Sequence, residues 1–187
     1  MSKKVSKARE RILKAAHMLF YRDGIRATGI DRIIKESEVT KVTFYRHFPS
    51  KNDLILAFLD YRHEQWIQWF RGSLQANINR SSSPTEALTK TLAEWFNSNE
   101  FRGCAFINTV IEIGKEQPQV IPLIQAHKKQ IEQVIASSLP PELNGKRLAQ
   151  KFALLVEGAI IMMQRTGHSD EVLSLLQECL LDIAMSE

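Results

Sequence analysis

The sequence of 187 residues predicts an all-α protein of about nine helices, three in a small N-terminal head and six in a larger helical-bundle body. Three observations carry this expectation. Apolar residues recur at helical spacing along most of the chain, as at Ile12, Ala15, Ala16, Leu19 and Phe20. No stretch shows the apolar–polar alternation of a half-buried strand, and no repeat or low-complexity segment interrupts the pattern. The charge is also divided: residues 1–51 carry 13 Lys+Arg against 5 Asp+Glu, and the remaining residues carry 12 against 16. A basic head on an acidic body suits a head that meets a polyanion.

In chain order, residues 1–6 form a short basic arm, and a helix is predicted from about Lys7 to Arg22. Asp23-Gly24 ends it, with Gly24 in the left-handed conformation that glycine adopts without steric cost. Thr28 is the expected cap of a second helix whose inner stripe is Ile30, Ile33 and Ile34. Ser37 to Thr40 make a tight turn with Val39 tucked beneath it, and Thr40 caps a third helix running to about Phe48. In that third helix Phe44 and Phe48 fall on one side. Val42, Thr43 and Arg46 fall on the other, flanked by Lys41 and Tyr45. So short a helix is not stable alone and must be pinned by its phenylalanines. A fixed inner face and a basic, hydrogen-bonding outer face are what a DNA-recognition helix needs.

After Pro49, Ser50 caps a long helix from Lys51 to about Asn79. Residues 80–84 (RSSSP) form a linker, and Ser83-Pro84-Thr85-Glu86 has the form of a capping box for a helix to about Asn97. Further helices are predicted from Cys104 to about Lys115, from Pro118 to about Ser138, from Asn144 to Thr166 after Pro140-Pro141, and from a Ser169 cap to about Ala184. The division expected is a DNA-binding head over 1–50 and a helical body over 51–187.

Composition narrows the class. A hydrophobic content of 44% with 25% charged residues is that of an ordinary globular protein. The longest apolar segment, residues 152–163, is too short to cross a bilayer and is broken by Glu157. The N-terminus lacks the apolar core of a secretory signal. Two cysteines make no disulfide framework, so a reducing cytoplasm is expected. No HExxH, nucleophile triad or glycine-rich phosphate loop is present, so no cofactor and no metal site is expected.

Residues 9–55, RERILKAAHMLFYRDGIRATGIDRIIKESEVTKVTFYRHFPSKNDLI, resemble the head of the TetR family of bacterial transcriptional regulators. Arg11, Ile12-Leu13, Ala15-Ala16, Leu19-Phe20 and Gly24 match its first part, and Thr43, Phe44, Tyr45, His47, Phe48 and Lys51 match its ending. More weakly, residues 102–112 and 155–167 resemble the body of a subgroup. The resemblance implies a homodimeric, ligand-responsive regulator, most readily a repressor, whose two heads grip a palindromic double-stranded DNA operator. It implies phosphate contacts at Tyr45, His47 and Lys51. The chemistry of the residues adds Thr28 and Gly29 as a backbone phosphate site, and Thr40, Lys41, Val42, Thr43 and Arg46 as candidates for base reading. The sequence departs from the family at Glu38 and Val42, where glycine is usual. Glu38 brings strain and a negative charge to the turn, and Val42 places an apolar group where a thymine methyl is within reach.

The resemblance implies that the body over 51–187 binds an effector and dimerises, and an unknown small-molecule effector is expected among Trp66, Phe70, Trp95, Phe106, Asn108, Glu112, His127 and Met163, with Glu157 and Gln164 in similar settings. Cys104 is the candidate for redox or electrophile sensing. The helices at about 144–166 and 169–184 are apolar over more than one face, and the resemblance makes the same pair from a second subunit their partner. A small helical enzyme and a basic-headed adaptor for acidic proteins are the rival readings.

Overall fold

The computed structural model describes residues 6–140 and 145–186. The N-terminal arm with Lys3 and Lys4 lies, apart from Ser6, outside the described residues, as do Pro141 and Asn144. Among the described residues the chain is all helix and loop: α1 (Lys7–Asp23), α2 (Ile30–Glu36), α3 (Lys41–His47), α4 (Lys51–Ile78), α5 (Pro84–Phe96), α6 (Ala105–Ile113), α7 (Val120–Ser137), α8 (Gly145–Thr166) and α9 (Ser169–Met185). None of these helices is long and apolar enough to cross a membrane.

Two compact units result, one formed by Met1–Glu64 with Ala105–Ile124, the other by Gln65–Cys104 with Gln125–Glu187. These limits differ from the expected division at residue 50. The reason is physical: α4 continues through 28 residues without a proline, and the Glu112 side chain of α6 bonds to the loop between α1 and α2.

In the first unit, α1, α2 and α3 converge on Ile12, Ala16, Leu19, Phe20, Ile33 and Phe44, all almost fully buried. Leu54, Ile55, Phe58 and Leu59 of α4 are buried as well, with Phe58 set edge-on to Phe20 at 5.4 Å. Ser50 caps α4 as expected, accepting from the Asp53 amide at 3.1 Å. His17 is packed against Phe58 and Tyr61 beside Arg62, and burial together with that guanidinium lowers its pKa to about 4.

In the second unit α9 packs against both α8 and α5. Thr89 donates to Gln177 at 2.6 Å, and Gln177 donates to Thr85 at 3.3 Å, which ties α5 to α9 inside the interface. The α5 cap forms, with its return bond one residue early: Ser83 accepts from the Glu86 amide at 3.2 Å, and the Glu86 carboxylate accepts from the Ser82 amide, ahead of the N-cap, at 2.7 Å. Asn77 is buried, and its amide donates to Thr91 at 3.1 Å and Glu94 at 3.0 Å.

Several local expectations are corrected. Thr28 does not cap α2. It is fully buried, and its hydroxyl donates backward to the Gly24 carbonyl at 2.7 Å, so it closes the end of α1. Gly29 is the N-cap instead. Gly24 has the positive φ expected, but its ψ of 157° places it in an extended region open essentially to glycine alone, not in the left-handed helical one. Pro118 stands before α7: the chain there makes three-residue turns, Val120 to Gln117 and Ile121 to Pro118, before helical bonding begins. Ser169 is the first residue of α9, and His168 takes the cap position without a side-chain bond. The Ser169 hydroxyl is engaged with Asn97 at 2.8 Å.

Two outcomes follow from this geometry. Glu38 sits at φ 50°, a conformation that costs a residue with a Cβ about 1–2 kcal/mol. Its 3.9 Å approach to Arg11 is solvent-exposed and offsets little of that. Glu38→Gly therefore raises stability by about 0.5–1 kcal/mol after glycine's own entropy cost, measured by urea titration. The buried His17 stays neutral down to about pH 4, whereas in the unfolded chain it takes a proton near 6.5. The unfolded state thus binds more protons between these values, and stability falls as pH drops through that window. Melting temperatures of His17→Gln are expected to depend less on pH than the parent's between 6.5 and 5.

Candidate nucleic-acid interface

The interface is built on α3, a helix of seven residues held by what lies beneath it. Phe44 is completely buried and Phe48 nearly so, their rings 6.3 Å apart, and the Arg9 guanidinium lies 5.0 Å over the Phe48 ring. At the N-terminus the Thr40 hydroxyl accepts the Thr43 amide at 3.2 Å and bonds to the Thr43 hydroxyl at 2.9 Å. The two threonines read from the sequence as base contacts are therefore engaged with each other. Lys41, Val42, Tyr45 and Arg46 are exposed on the outer side. Among the described residues no carboxylate forms a salt bridge with Lys41 or Arg46. By contrast Arg22 and Arg32 both bond Asp23, at 2.9 and 2.8 Å, and so join the end of α1 to α2. Arg22, the first of these in effect, holds the Asp23 carboxyl below its usual pKa.

The expected phosphate contacts divide. Tyr45 is 40% exposed, its ring T-shaped to that of Phe44 at 5.2 Å. His47 is half-buried, with its Nε2 3.4 Å from the Ser6 hydroxyl. Gly29 is exposed at the start of α2, while Thr28 turns inward. Lys51 is half-buried and donates to the Ile25 carbonyl at 2.6 Å, with the Phe20 ring 5.9 Å away. Burial lowers its pKa, and Glu112 partly opposes that. Its ammonium thus braces the loop between α1 and α2.

The same loop receives two acidic residues of α6 and the turn after it, a feature that periodicity does not disclose. The Arg26 amide donates to the Glu112 carboxylate at 2.9 Å, its Nε donates to the Glu112 carbonyl, and its guanidinium pairs with Glu116 at 2.5 Å. A Cβ at Gly24 would lie 3.1 Å from the Glu112 carboxylate, so glycine there also admits this contact. Glu112, expected to face an effector, instead fastens the loop. The polar residues Arg26 and Glu116 gave no signal in the sequence because their pairing spans 90 positions.

Other candidate effector residues separate by unit. Phe106 is buried with its ring edge toward His63, and Asn108 is half-buried, both in the first unit. In the second, Trp66 stacks on Phe70 at 4.8 Å and meets Trp95 and His127 edge-on, each at 5.4 Å. The buried Trp66 indole N–H has no hydrogen-bond partner among the described residues. Met163 is half-buried on α8, and Gln164 donates to the Arg102 carbonyl at 3.2 Å. Lys128 bridges Glu157 at 2.5 Å and the Cys104 thiol at 3.2 Å. A groove of about 590 Å³ lies along the C-terminal ends of α4 and α7, where Arg71, Gln75, Gln133 and Ser137 surround Leu74 and Val134. Among the described residues no three His, Cys, Asp or Glu side chains are grouped to hold a metal ion.

Residues 12–58 match the family model described as bacterial regulatory proteins, tetR family. Over 169 residues the chain is 28% identical to the HTH-type transcriptional regulator TtgR of Pseudomonas putida, covering 81% of this chain and 78% of that one. The solved structure of SCO4454, a TetR-family transcriptional regulator from Streptomyces coelicolor, superposes with a TM-score of 0.80 at 29% identity, over 97% of this chain and 90% of that one. A cysteine-substituted CifR, a TetR-family regulator solved on 26-base-pair operator DNA, shares the fold with a TM-score of 0.75 at 19% identity, covering 96% and 98%. These relatives and neighbours are transcriptional regulators, not enzymes. The helix-turn-helix head and a fold matched along nearly the whole length make this chain a member of the TetR family: a DNA-binding transcriptional regulator.

Proposed function

We propose that the protein is a homodimeric repressor, working in the cytoplasm, that is released from a palindromic operator by a small molecule. The carrying observation is α3: buried Phe44 and Phe48 fix its inner side while Lys41, Val42, Tyr45 and Arg46 stand in solvent. Such a helix fits the major groove. In this reading Tyr45, His47 and the exposed Gly29 end of α2 position the head on phosphates, and Lys41, Val42 and Arg46 face base edges. Thr40 and Thr43 support the helix start, Thr28 closes α1, and Lys51 sets the loop that orients α2. Residues 1–50 supply the DNA-binding surface and 51–187 the response, a division by role that cuts across the two packing units.

The dimer is supported by an apolar surface on α8 and α9. Leu154 is 74% exposed, Ile161 48% and Leu175 44%, and Leu154, Gly158, Met162, Leu175 and Cys179 line a shallow depression there. So much apolar side chain on two adjacent helices is costly in water and is relieved by a second copy meeting it about a two-fold axis. Two heads on that axis would read two half-sites. The effector would bind one arrangement of the dimer better than the other and so lower DNA affinity. The aromatic cluster of Trp66, Phe70, Trp95 and His127, with Met163, is the proposed apolar wall of its site; the unpartnered Trp66 N–H supports this reading.

The direct test is binding to DNA selected from a random pool, repeated with increasing salt and then with candidate effectors. Absence of any selected sequence at low salt would overturn the regulator reading. Tyr45→Phe is expected to weaken binding about tenfold on every sequence alike, because it removes a phosphate hydrogen bond without touching a base. Gel-shift titrations on specific and unrelated DNA measure this. Leu154→Glu places a charge in the proposed interface and is expected to give a folded monomer by sedimentation; a dimer of unchanged affinity would exclude that face.

A further inference from the structure

Among the described residues of the head Val42 is the most exposed large apolar side chain, at 78%, and it stands in the first turn of α3. Single apolar residues on a surface are ordinary, but this one is out of place for two physical reasons. Valine loses side-chain freedom in a helix, so stability gives no reason to keep it on a solvent-facing helical position. Its neighbours on that side are Lys41, Tyr45 and Arg46, which all carry hydrogen-bonding groups, while the Thr40 and Thr43 hydroxyls are turned toward each other. First-turn residues of a recognition helix are the ones that reach base edges. In the major groove just one base edge of unmodified DNA offers an apolar group, the C5-methyl of thymine.

We propose that Val42 is a specificity-determining residue that reads a thymine C5-methyl group, one in each half-site. The inference rests on the DNA-binding reading of α3 and deepens it by naming the base and the atom. The contact is rigid on both sides. Val42 has two methyls on a side chain with few rotamers, and the helix beneath it is fixed by Phe44 and by the Thr40 cap. A methyl–methyl contact excludes water and needs no charge, so it discriminates without adding to the salt dependence that Lys41 and Arg46 contribute.

The experiment uses the full chain and the operator selected from the random pool, with each thymine replaced in turn by uracil, which removes the methyl and leaves every hydrogen bond. The parent protein is expected to lose about fourfold in affinity at one position per half-site, the value of one buried methyl group. Val42→Ala folds normally, since the site is exposed and alanine is the better helix former, which circular dichroism checks. It is expected to bind the thymine operator about as weakly as the parent binds the uracil one, and to show no further loss with uracil. The proposal is overturned by an operator without thymine under α3, by no thymine whose methyl matters, or by a uracil penalty that persists in Val42→Ala. Each of those results leaves operator binding itself intact, whereas failure to select any operator overturns the underlying reading instead.

Discussion

The burial of Phe44 and Phe48 is the constraint on which the head depends. A helix of seven residues contributes few backbone hydrogen bonds and has no stability of its own in water. Two aromatic rings removed from solvent are worth several kcal/mol in transfer free energy, enough to hold such a helix against its neighbours. Once they are fixed, the period of the helix turns Lys41, Val42, Tyr45 and Arg46 outward, with no further determinant needed. The reading surface is thus a consequence of the core beneath it. The Thr40–Thr43 cap adds precision at the end of the helix where base contact is expected.

Around α3 the polar network has a different task. Arg22 and Arg32 converge on Asp23, Lys51 donates to the Ile25 carbonyl, and Arg26 is gripped by Glu112 and Glu116. Together these bonds take up the charged side chains of the loop from Asp23 to Thr28 and the Ile25 carbonyl. Glu112 and Glu116 lie outside residues 1–51 and sit against Arg26, so the +8 imbalance of residues 1–51 overstates the charge offered to DNA. What remains outward on α3 is a small set, and an uncharged member of it, Val42, carries the most distinctive chemistry.

The second unit follows ordinary helical packing, with polar side chains placed where they lock neighbouring helices. Gln177 between Thr85 and Thr89, and Asn77 between Thr91 and Glu94, are buried or half-buried bonds that specify one register of α5 against its partners. The aromatic cluster about Trp66 is dense, yet among the described residues its indole N–H finds no partner, which is costly in a buried setting. The exposed leucines of α8 and α9 are the other unspent feature of this unit.

Sequence by itself determined the number and approximate limits of the helices, the capping of α3, α4 and α5, and the outward side of α3. These depend on contacts a few residues apart, which periodicity and capping chemistry record directly. The family match, resting on residues at fixed spacing in the head, was legible for the same reason. Only the tertiary structure decided that Thr28 closes α1 instead of opening α2, that Lys51 braces a loop, and that Glu112 faces Arg26. In each case the choice is among several partners for one polar group, and the partner that wins sits where the folded chain has brought it. For Glu112 that partner is 86 residues away, a distance over which no local pattern in the chain carries information.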